Sequence, residues 1–260
     1  MTKTAMVTGA SGGIGLGFAE RLAKEGYTVT LVARNEGKLT ELAAGLGAGH
    51  RVLAADLSVA ADAERVADDL RTSKYDVLIN NAGVGAYGPF AESSLKVNQA
   101  MLRLNIDSVV TLSHAFLQNA KSGDALINVA STLACITMPG ASAYCASKAF
   151  VTSFSESLWY ENKPRGVYVA GLLPGVTKTN FHMAAGGATD NRPPEAISQS
   201  VEGVVDAGMH ALAKRSSPTV LTSFQNKAMV FMMTKVMPRR TRINMMGGNA
   251  PGAKALPRSN

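Results

Sequence analysis

The chain has 260 residues, of which 46% are hydrophobic and 17% are charged, so a large core is available and a wholly disordered chain is excluded. Two cysteines and four scattered histidines exclude a disulfide framework and lack metal-ligand spacing, so we expect no bound metal. The net charge of +7 arises from the basic residues that follow the last acidic residue, Asp206. The body before them is nearly neutral, so we expect no nucleic-acid partner.

Short apolar runs alternate with helical patterns along the first two thirds of the chain. The predicted strands are Thr4–Thr8, Thr28–Ala33, Arg51–Ala55, Asp76–Asn80, Ala125–Ala130 and Val167–Leu173. The predicted helices are Ile14–Glu25, Gly37–Gly47, Ala60–Ser73, Ser94–Asn119 and Ala143–Asn162. This alternation indicates βαβ units, and continuous apolar strands indicate a sheet covered on both faces. We therefore predict an α/β fold: a single doubly wound Rossmann-type domain, with a parallel sheet of about seven strands and helices on both faces.

The last third of the chain changes in composition. Ala184–Pro194 is rich in Gly, Ala and Pro and predicts a loop, which a helix at Glu195–Lys214 follows. A short strand is expected near Thr219–Thr222 and a Met-rich helix near Phe224–Met237. The Gly/Pro/Arg tail beyond is expected to be disordered.

The sequence also bears on location. Met1 runs almost directly into the first strand, and no apolar run approaches the ~20 residues that span a bilayer. We expect a cytoplasmic protein in which Cys135 and Cys145 are free thiols.

A glycine-rich turn follows the first strand, in the segment Thr8–Gly15. Glycines at a strand-to-helix turn let the backbone approach a pyrophosphate and present N–H groups to an anion. The same residues resemble a hydrolase nucleophile elbow centred on Ser11, although only one strand precedes it. A P-loop would need Lys and Ser/Thr after its last glycine, where Phe18 follows Gly17. The turn favours a dinucleotide, with a glycine turn without ligand as the alternative.

The end of the second strand bears on which dinucleotide binds. An NAD site usually has Asp or Glu there, but this chain has Arg34. A guanidinium binds the 2′-phosphate of NADP, so NADP(H) is favoured over NAD unless Arg34 is only a solvated surface residue. Lys38 would add charge. Asp56 is a candidate acceptor for the adenine amino group, or simply a residue at a helix N-terminus.

Three residues suit hydride chemistry on a carbonyl. Tyr144 and Lys148 are four residues apart and share a helix face, and Ser131 follows the fifth strand. Tyrosine donates a proton to a carbonyl oxygen, an ammonium lowers its pKa, and a serine hydroxyl holds the oxygen. Tyr-x-x-x-Lys alone is weak evidence and gains weight only beside the glycine turn.

These motifs together resemble the short-chain dehydrogenase/reductase family, over roughly residues 4–182. The matching residues are Thr8–Gly15, Asn80–Gly83, Asn105, Ser131, Tyr144, Lys148, Pro174 and Gly175. The stretches Leu31–Leu39 and Asn128–Lys148 resemble its NADP-preferring reductases, including the branch of long-chain 3-oxoacyl and hydroxysteroid reductases. Many NADP-preferring members also have Arg or Lys inside the glycine turn, where this chain has Ser11 and Gly12.

The resemblance implies roles for individual residues. Tyr144 would be the general acid in reduction and the base in oxidation, Lys148 would bind the nicotinamide ribose, and Ser131 would orient the substrate oxygen. Asn105 would hold a water in a relay to Lys148. The cofactor site implied by residues and resemblance together comprises Gly9, Ser11, Gly13, Ile14, Gly15, Arg34, Asp56, Leu57, Asn81, Ala82, Gly83, Tyr144, Lys148, Pro174, Gly175, Val176, Thr177 and Thr179. Residues 1–222 would form the NADP-binding and catalytic domain, with a substrate loop at about 180–194, and residues 223–260 a Met-rich helix and basic tail.

The segments expected to choose the substrate carry little charge. They are Val84–Phe90, Leu133–Pro139 and Asn180–Asn191, with Tyr87, Phe90, Ile136, Met138, Phe181 and Met183. A hydrophobic carbonyl fits them better than a sugar phosphate. The resemblance further implies a homo-dimer or homo-tetramer.

The helix near Phe224–Met237 would form one apolar face from Met229, Met232, Met233 and Val236. Packing on the protein's own core or pocket is the first interpretation of this face. An oligomer interface is the second. A weak membrane-surface contact through the basic C-terminal segment is the third.

The function predicted from the sequence is hydride transfer between NADP(H) and a hydrophobic carbonyl or alcohol. One alternative is a non-catalytic NADP(H)-binding regulator, which need not keep a proton donor. Another is an esterase that uses Ser11.

Overall fold

All seven strands of the described sheet run parallel, in the order β3-β2-β1-β4-β5-β6-β7. The computed structural model describes residues 2–179, 181 and 198–248. The strands are β1 Thr4–Thr8, β2 Thr28–Ala33, β3 Arg51–Ala54, β4 Val77–Asn80, β5 Ala125–Val129, β6 Tyr168–Leu173 and β7 Thr219–Leu221. The α-helices are α1 Gly13–Lys24, α2 Glu36–Leu46, α3 Ala60–Thr72, α4 Leu95–Leu102, α5 Ser108–Asn119, α6 Ser142–Asn162, α7 Val201–Lys214, α8 Phe224–Phe231 and α9 Arg239–Gly248. The predicted doubly wound α/β fold is confirmed.

The strands are apolar on both sides because each side of the sheet packs on helices. In β1, Ala5 and Val7 belong to one buried cluster with Phe18 of α1, while Met6 belongs to the other with Phe116 of α5. Successive strand residues point to opposite faces, so a continuous apolar run fills both layers.

The order of the strands indicates which edge of the sheet binds ligands. The chain moves outward from β1 to β3 and then returns to the other side of β1 to form β4. In sheets of this kind, ligands bind outside the carboxyl ends of the strands where the order reverses. The turn after β1 and the segment after β4 meet there.

Two predicted helices differ from the structure. The predicted helix Ser94–Asn119 is interrupted by a π-helical turn at Arg103–Asp107. The predicted helix Glu195–Lys214 begins at Val201, where the Ser200 hydroxyl accepts from the Gly203 N–H at 3.1 Å. Residues 195–197 and the predicted loop Ala184–Pro194 lie outside the described residues.

The C-terminal segment also differs from expectation. The prediction of a disordered tail is wrong over α9, and residues 249–260 lie outside the described part. The Arg242 side chain donates to the Met233 carbonyl at 2.7 Å and holds α9 against a π-helical turn at Met232–Val236. None of the described helices is long and apolar enough to cross a membrane.

Candidate active site

The turn between β1 and α1 has a backbone that favours glycine. Gly9 and Gly13 have φ of +66° and +55°, in the left-handed region. A Cβ on Gly15 would collide with the Gly9 carbonyl and lie 2.5 Å from the Asn81 amide nitrogen. The turn leads into the first turn of α1, whose free N–H groups attract an anion. This geometry suits a phosphate-bearing ligand.

Thr8 fastens this turn to the segment after β4. Its buried hydroxyl accepts from the N–H groups of Asn81 and Ala82 at 3.0 and 2.9 Å. The Asn81 side chain donates to the Thr8 carbonyl at 2.9 Å. Thr8 at the end of β1 therefore joins the glycine turn to the predicted cofactor residues Asn81 and Ala82 in one hydrogen-bonded unit.

Arg34 stands at the same edge, directly after β2. Thr8 pairs with Val32 in the sheet, so Arg34 and the glycine turn lie beside each other in register. The side chain is exposed and forms no ion pair or hydrogen bond with other described residues. A guanidinium so placed is free to bind a phosphate. Ser11 and Ile14 are partly exposed within the turn.

Asp56 and Leu57 follow β3. One carboxylate oxygen of Asp56 accepts from the N–H and the hydroxyl of Ser58 at 3.0 and 2.7 Å. Asp56 therefore shapes the entry to α3, as its alternative interpretation expected, and Leu57 is buried. A contact between Asp56 and adenine stays a prediction.

Tyr144 and Lys148 lie one turn apart on the buried face of α6, with 5% and 4% of their surfaces exposed. Lys148 Nζ is 5.9 Å from the centre of the Tyr144 ring and donates to the Val129 carbonyl at 2.9 Å. Ser131 accepts from the Leu133 N–H at 3.1 Å and hydrogen-bonds with Tyr144. The structure thus brings the three predicted catalytic side chains together at the end of β5.

Burial dominates the ionisation of this group. It raises the pKa of Tyr144 above its usual value of 10, and the hydrogen bond with Ser131 acts in the opposite direction. Burial lowers the pKa of Lys148 from 10.5 to about 8. Burial thus raises the pKa of Tyr144 overall, and the expectation that Lys148 lowers this pKa stays a prediction. The phenol consequently keeps its proton at neutral pH.

Asn105 lies in the π-helical turn and has no exposed surface. Its side chain donates to the Val84 carbonyl at 2.9 Å and to the Ser147 hydroxyl at 3.1 Å, and it accepts from the Val84 N–H at 3.1 Å. A Cβ on Gly83 would lie 3.2 Å from Asn105 Oδ1 and 3.3 Å from Lys148 Nζ. Asn105 therefore borders the predicted site and holds Val84 beside it. A water relay through Asn105 stays a prediction.

The predicted cofactor loop after β6 reaches back to the glycine turn. The methyl group of Thr179 would lie 3.1 Å from a Cβ on Gly13. Thr177 donates to the Gly175 carbonyl at 3.0 Å, so the loop folds on itself after the buried Pro174. Val176 is exposed. The loop after β6 and the turn after β1 thus border the same cleft.

Sequence reasoning missed two residues that hold this loop. The Gln199 amide donates to the Thr177 hydroxyl at 3.3 Å and accepts from Thr222 at 2.9 Å. The amide oxygen of Asn226 would lie 2.5 Å from a Cβ on Gly175, which makes the glycine necessary for this approach. No local motif marks Gln199 or Asn226, because their role depends on chain segments that meet only in the folded protein.

Apolar side chains surround the Tyr144 ring. Tyr87 and Phe181 have ring centres 6.4 and 5.8 Å from it. Leu133 and Met138 pack in the same cluster. Four of the predicted substrate-side residues therefore meet at the phenol. In contrast, Phe90 is 60% exposed, Ile136 is buried, and Met183 lies outside the described residues.

The chain matches the family model of the short chain dehydrogenases over residues 3–189 and belongs to this family of oxidoreductases. It is 32% identical to hydroxysteroid dehydrogenase-like protein 1 of Gallus gallus, over 68% of this chain. The match spans only 56% of that longer protein.

Solved structures of the family have the same fold. A short-chain dehydrogenase from Sphingobium yanoikuyae in complex with NADPH is 31% identical, with a TM-score of 0.79 over 90% of this chain and 96% of that one. A short chain dehydrogenase/reductase from Burkholderia phymatum in complex with NAD is 26% identical, with a TM-score of 0.76 over 89% of this chain and 92% of that one.

Proposed function

We propose that this protein transfers a hydride between NADP(H) and a hydrophobic carbonyl or alcohol substrate. The observation that carries the proposal is the buried pair Tyr144 and Lys148, which lies beside Gly83 of the segment after β4 and under apolar side chains. A buried, protonated phenol beside a cleft is a proton donor for a carbonyl oxygen. A pure binding protein has no need of this arrangement.

The residues of the cleft fit a dinucleotide. Glycine backbones leave room where a Cβ would collide, and the N-terminus of α1 attracts a pyrophosphate. Arg34 is unpaired within the described residues and suits a 2′-phosphate, which supports NADP(H). The NADPH complex of the Sphingobium enzyme agrees with this choice, whereas the Burkholderia enzyme is a complex with NAD. When bound, the nicotinamide supplies or accepts the hydride.

The chain's own residues would handle the proton. Ser131 holds the carbonyl oxygen of the substrate beside the Tyr144 hydroxyl. Tyr144 donates its proton to that oxygen in reduction and accepts it in oxidation. Protonated Lys148 stabilises the phenolate that forms, and the backbone contact to Val129 keeps the ammonium in place. Tyr87, Phe181 and Met138 keep water away from the reacting oxygen and favour an apolar substrate.

Titration of the full chain with NADPH and with NADH, followed by nicotinamide fluorescence, tests the cofactor. We expect tighter binding of NADPH. Turnover is then measured with aryl ketones, steroid ketones and 3-oxoacyl thioesters against a sugar phosphate control. Binding of neither cofactor would contradict the proposal, and so would turnover confined to the sugar phosphate.

We also propose that the protein is a cytoplasmic homo-oligomer. Cys135 and Cys145 are free thiols, which suits a reducing compartment.

Phe150 and Phe154 stack at 5.7 Å on the outer side of α6, and Phe150 is 39% exposed. An exposed phenylalanine that stacks on a half-buried one on a long helix favours contact with a second copy. Light scattering of the wild type and of Phe150→Ser tests the homo-oligomer. We expect a smaller oligomer mass for the variant, and a monomeric wild type would contradict the proposal.

A further inference from the structure

The outer side of α8 and of the π-helical turn after it exposes aromatic side chains. Phe224 is 84% exposed and Phe231 is 62% exposed. Asn226 and Met233 are buried on the opposite side and hold the segment against the domain. Of the four residues predicted to form one apolar face, Met233 alone is buried, while Met229, Met232 and Val236 are exposed. The first interpretation, packing on the protein's own core, therefore holds for Met233 and is wrong for the other three.

Lysines share this outer side with the aromatic residues. Phe224, Lys227, Phe231 and Lys235 follow one another at intervals of three, four and four residues, the spacing of one helical face. Both lysines are exposed, and Met232 and Val236 lie on the flank at 53% and 59% exposure. We call this surface the outer face; its members are Phe224, Lys227, Phe231, Met232, Lys235 and Val236.

The chain segment that carries the outer face bears charge of one sign. No Asp or Glu occurs after Asp206, and every described ion pair lies at or before that residue. The exposed side chains of Arg239 and Arg240 extend the positive surface from the outer face onto α9. Exposed apolar residues within such a surface indicate a partner that is both apolar and anionic.

We propose that the outer face docks the protein on an anionic phospholipid bilayer. Phe224 and Phe231 enter the boundary between headgroups and acyl chains, and Lys227 and Lys235 extend to the phosphates. A second copy of this chain fits less well, because a symmetric contact would bring two positively charged surfaces together. A bilayer also needs no preformed pocket for the protruding side chains of Phe224 and Phe231, whereas a folded protein partner would.

The segment that carries the outer face borders the cleft through residues outside that face. Gly247 of α9 lies against Pro139 of the segment Leu133–Pro139, at 3.4 Å from a Cβ on the glycine. Asn226 lies against Gly175 of the cofactor loop. A bilayer on the outer face would therefore contact α8, whose Asn226 packs on the cofactor loop.

Co-sedimentation of the full chain with vesicles tests the proposal without any need for turnover. Vesicles of phosphatidylcholine alone are compared with vesicles that also contain phosphatidylglycerol, over a series of salt concentrations. We expect about tenfold stronger binding to the anionic vesicles, weakened by salt.

Two pairs of substitutions separate the apolar and charged contributions. Phe224→Ser with Phe231→Ser should weaken binding about tenfold or more at every salt concentration. Lys227→Gln with Lys235→Gln should weaken binding about tenfold at low salt and flatten the salt dependence. Tyr160→Ser with Lys24→Gln is the matched control, since Tyr160 is 72% exposed and Lys24 is exposed elsewhere on the surface; its binding should equal that of the wild type.

Three results would overturn the proposal. They are equal binding to both vesicles, full binding by the phenylalanine variant, and a loss of oligomer mass in that variant with vesicle binding unchanged. The last result would assign the face to a second copy. Circular dichroism confirms that the variants fold, and turnover of a water-soluble ketone reports separately on the proposed function.

Discussion

Lys148 donates a hydrogen bond of 2.9 Å to the carbonyl of Val129 inside the protein. It takes part in none of the described ion pairs. Removing an ammonium from water disfavours its charged form, and the pKa of Lys148 falls from 10.5 to about 8. The lysine therefore destabilises the fold at neutral pH. Its presence at such a position favours a role in the chemistry of the site.

Lys148→Met should make the protein more stable and inactive at pH 7. The pKa of Lys148 in the folded protein is below its unfolded value. At pH 7 this shift corresponds to a loss of about 3 kcal/mol in the free energy of unfolding. Loss of the contact to Val129 offsets part of this, so we expect a gain of about 2 kcal/mol. Between the two pKa values the unfolded wild type binds more protons than the folded wild type, so its free energy of unfolding rises with pH. The difference in unfolding free energy between Lys148→Met and the wild type therefore becomes smaller. Urea unfolding at pH 7 and pH 10 measures it; a gap independent of pH would contradict the prediction.

The same pKa values predict the pH dependence of ketone reduction. The raised pKa of Tyr144 keeps the phenol protonated, so the phenol does not limit the reaction near neutrality. Lys148 loses its proton near pH 8 and no longer stabilises the phenolate. We expect kcat/KM for reduction to be flat below about pH 8 and to fall above it. A limb that rises through pH 8 would assign the pKa to another group.

Tyr144→Phe should reduce turnover by about 100-fold to 10,000-fold, because it removes the proton donor and little else. The ring contacts with Tyr87 and Phe181 remain, so the apolar cluster and the fold should persist. NADPH titration and steady-state kinetics measure the two effects separately. Tyr160→Phe on the same helix is the control, since that residue is 72% exposed. Full activity in Tyr144→Phe would remove Tyr144 from the mechanism.

Local sequence patterns predicted the parts of this protein that depend on short-range periodicity. Continuous apolar runs such as Val77–Ile79 need both faces covered, so they indicated the parallel sheet. The spacing of Tyr144 and Lys148 placed them on one face of α6, since four residues make about one helical turn.

Features that depend on distant contacts were not predictable. The π-helical turn at Arg103–Asp107 accompanies the bonds of Asn105 to Val84 and Ser147, which come from two other segments. The composition of α9 is that of a Gly/Pro/Arg tail. Its contacts with Met233 and Pro139 involve segments that meet it only in the folded protein. The pKa of Tyr144 depends on how completely the surrounding chain removes water, which spacing does not reveal.

Thr8→Val tests the junction between the glycine turn and the segment after β4. Valine has nearly the same shape but leaves the N–H groups of Asn81 and Ala82 without this acceptor. We expect a loss of about 1–3 kcal/mol in unfolding free energy and weaker NADPH binding. Thr8→Ser keeps the hydroxyl and should retain most of the binding. Urea unfolding and fluorescence titration measure both; equal binding by wild type and Thr8→Val would show that the junction does not position the cofactor site.

Arg34→Asp should reverse the preference between NADPH and NADH. The guanidinium is exposed at the end of β2 and has no ion-pair partner within the described residues, so a ligand phosphate need not displace one. A charge-assisted bond to the 2′-phosphate contributes about 1.5–3 kcal/mol, which corresponds to about 10-fold to 150-fold in affinity. Aspartate repels that phosphate and accepts a hydrogen bond from a free 2′-hydroxyl, so NADPH should bind more weakly and NADH more tightly. Arg34→Gln separates the two effects, because it removes the charge without adding repulsion and should give an intermediate ratio. Dissociation constants for both cofactors measure the change, and an unchanged ratio in Arg34→Asp would show that the residue is only a solvated surface arginine.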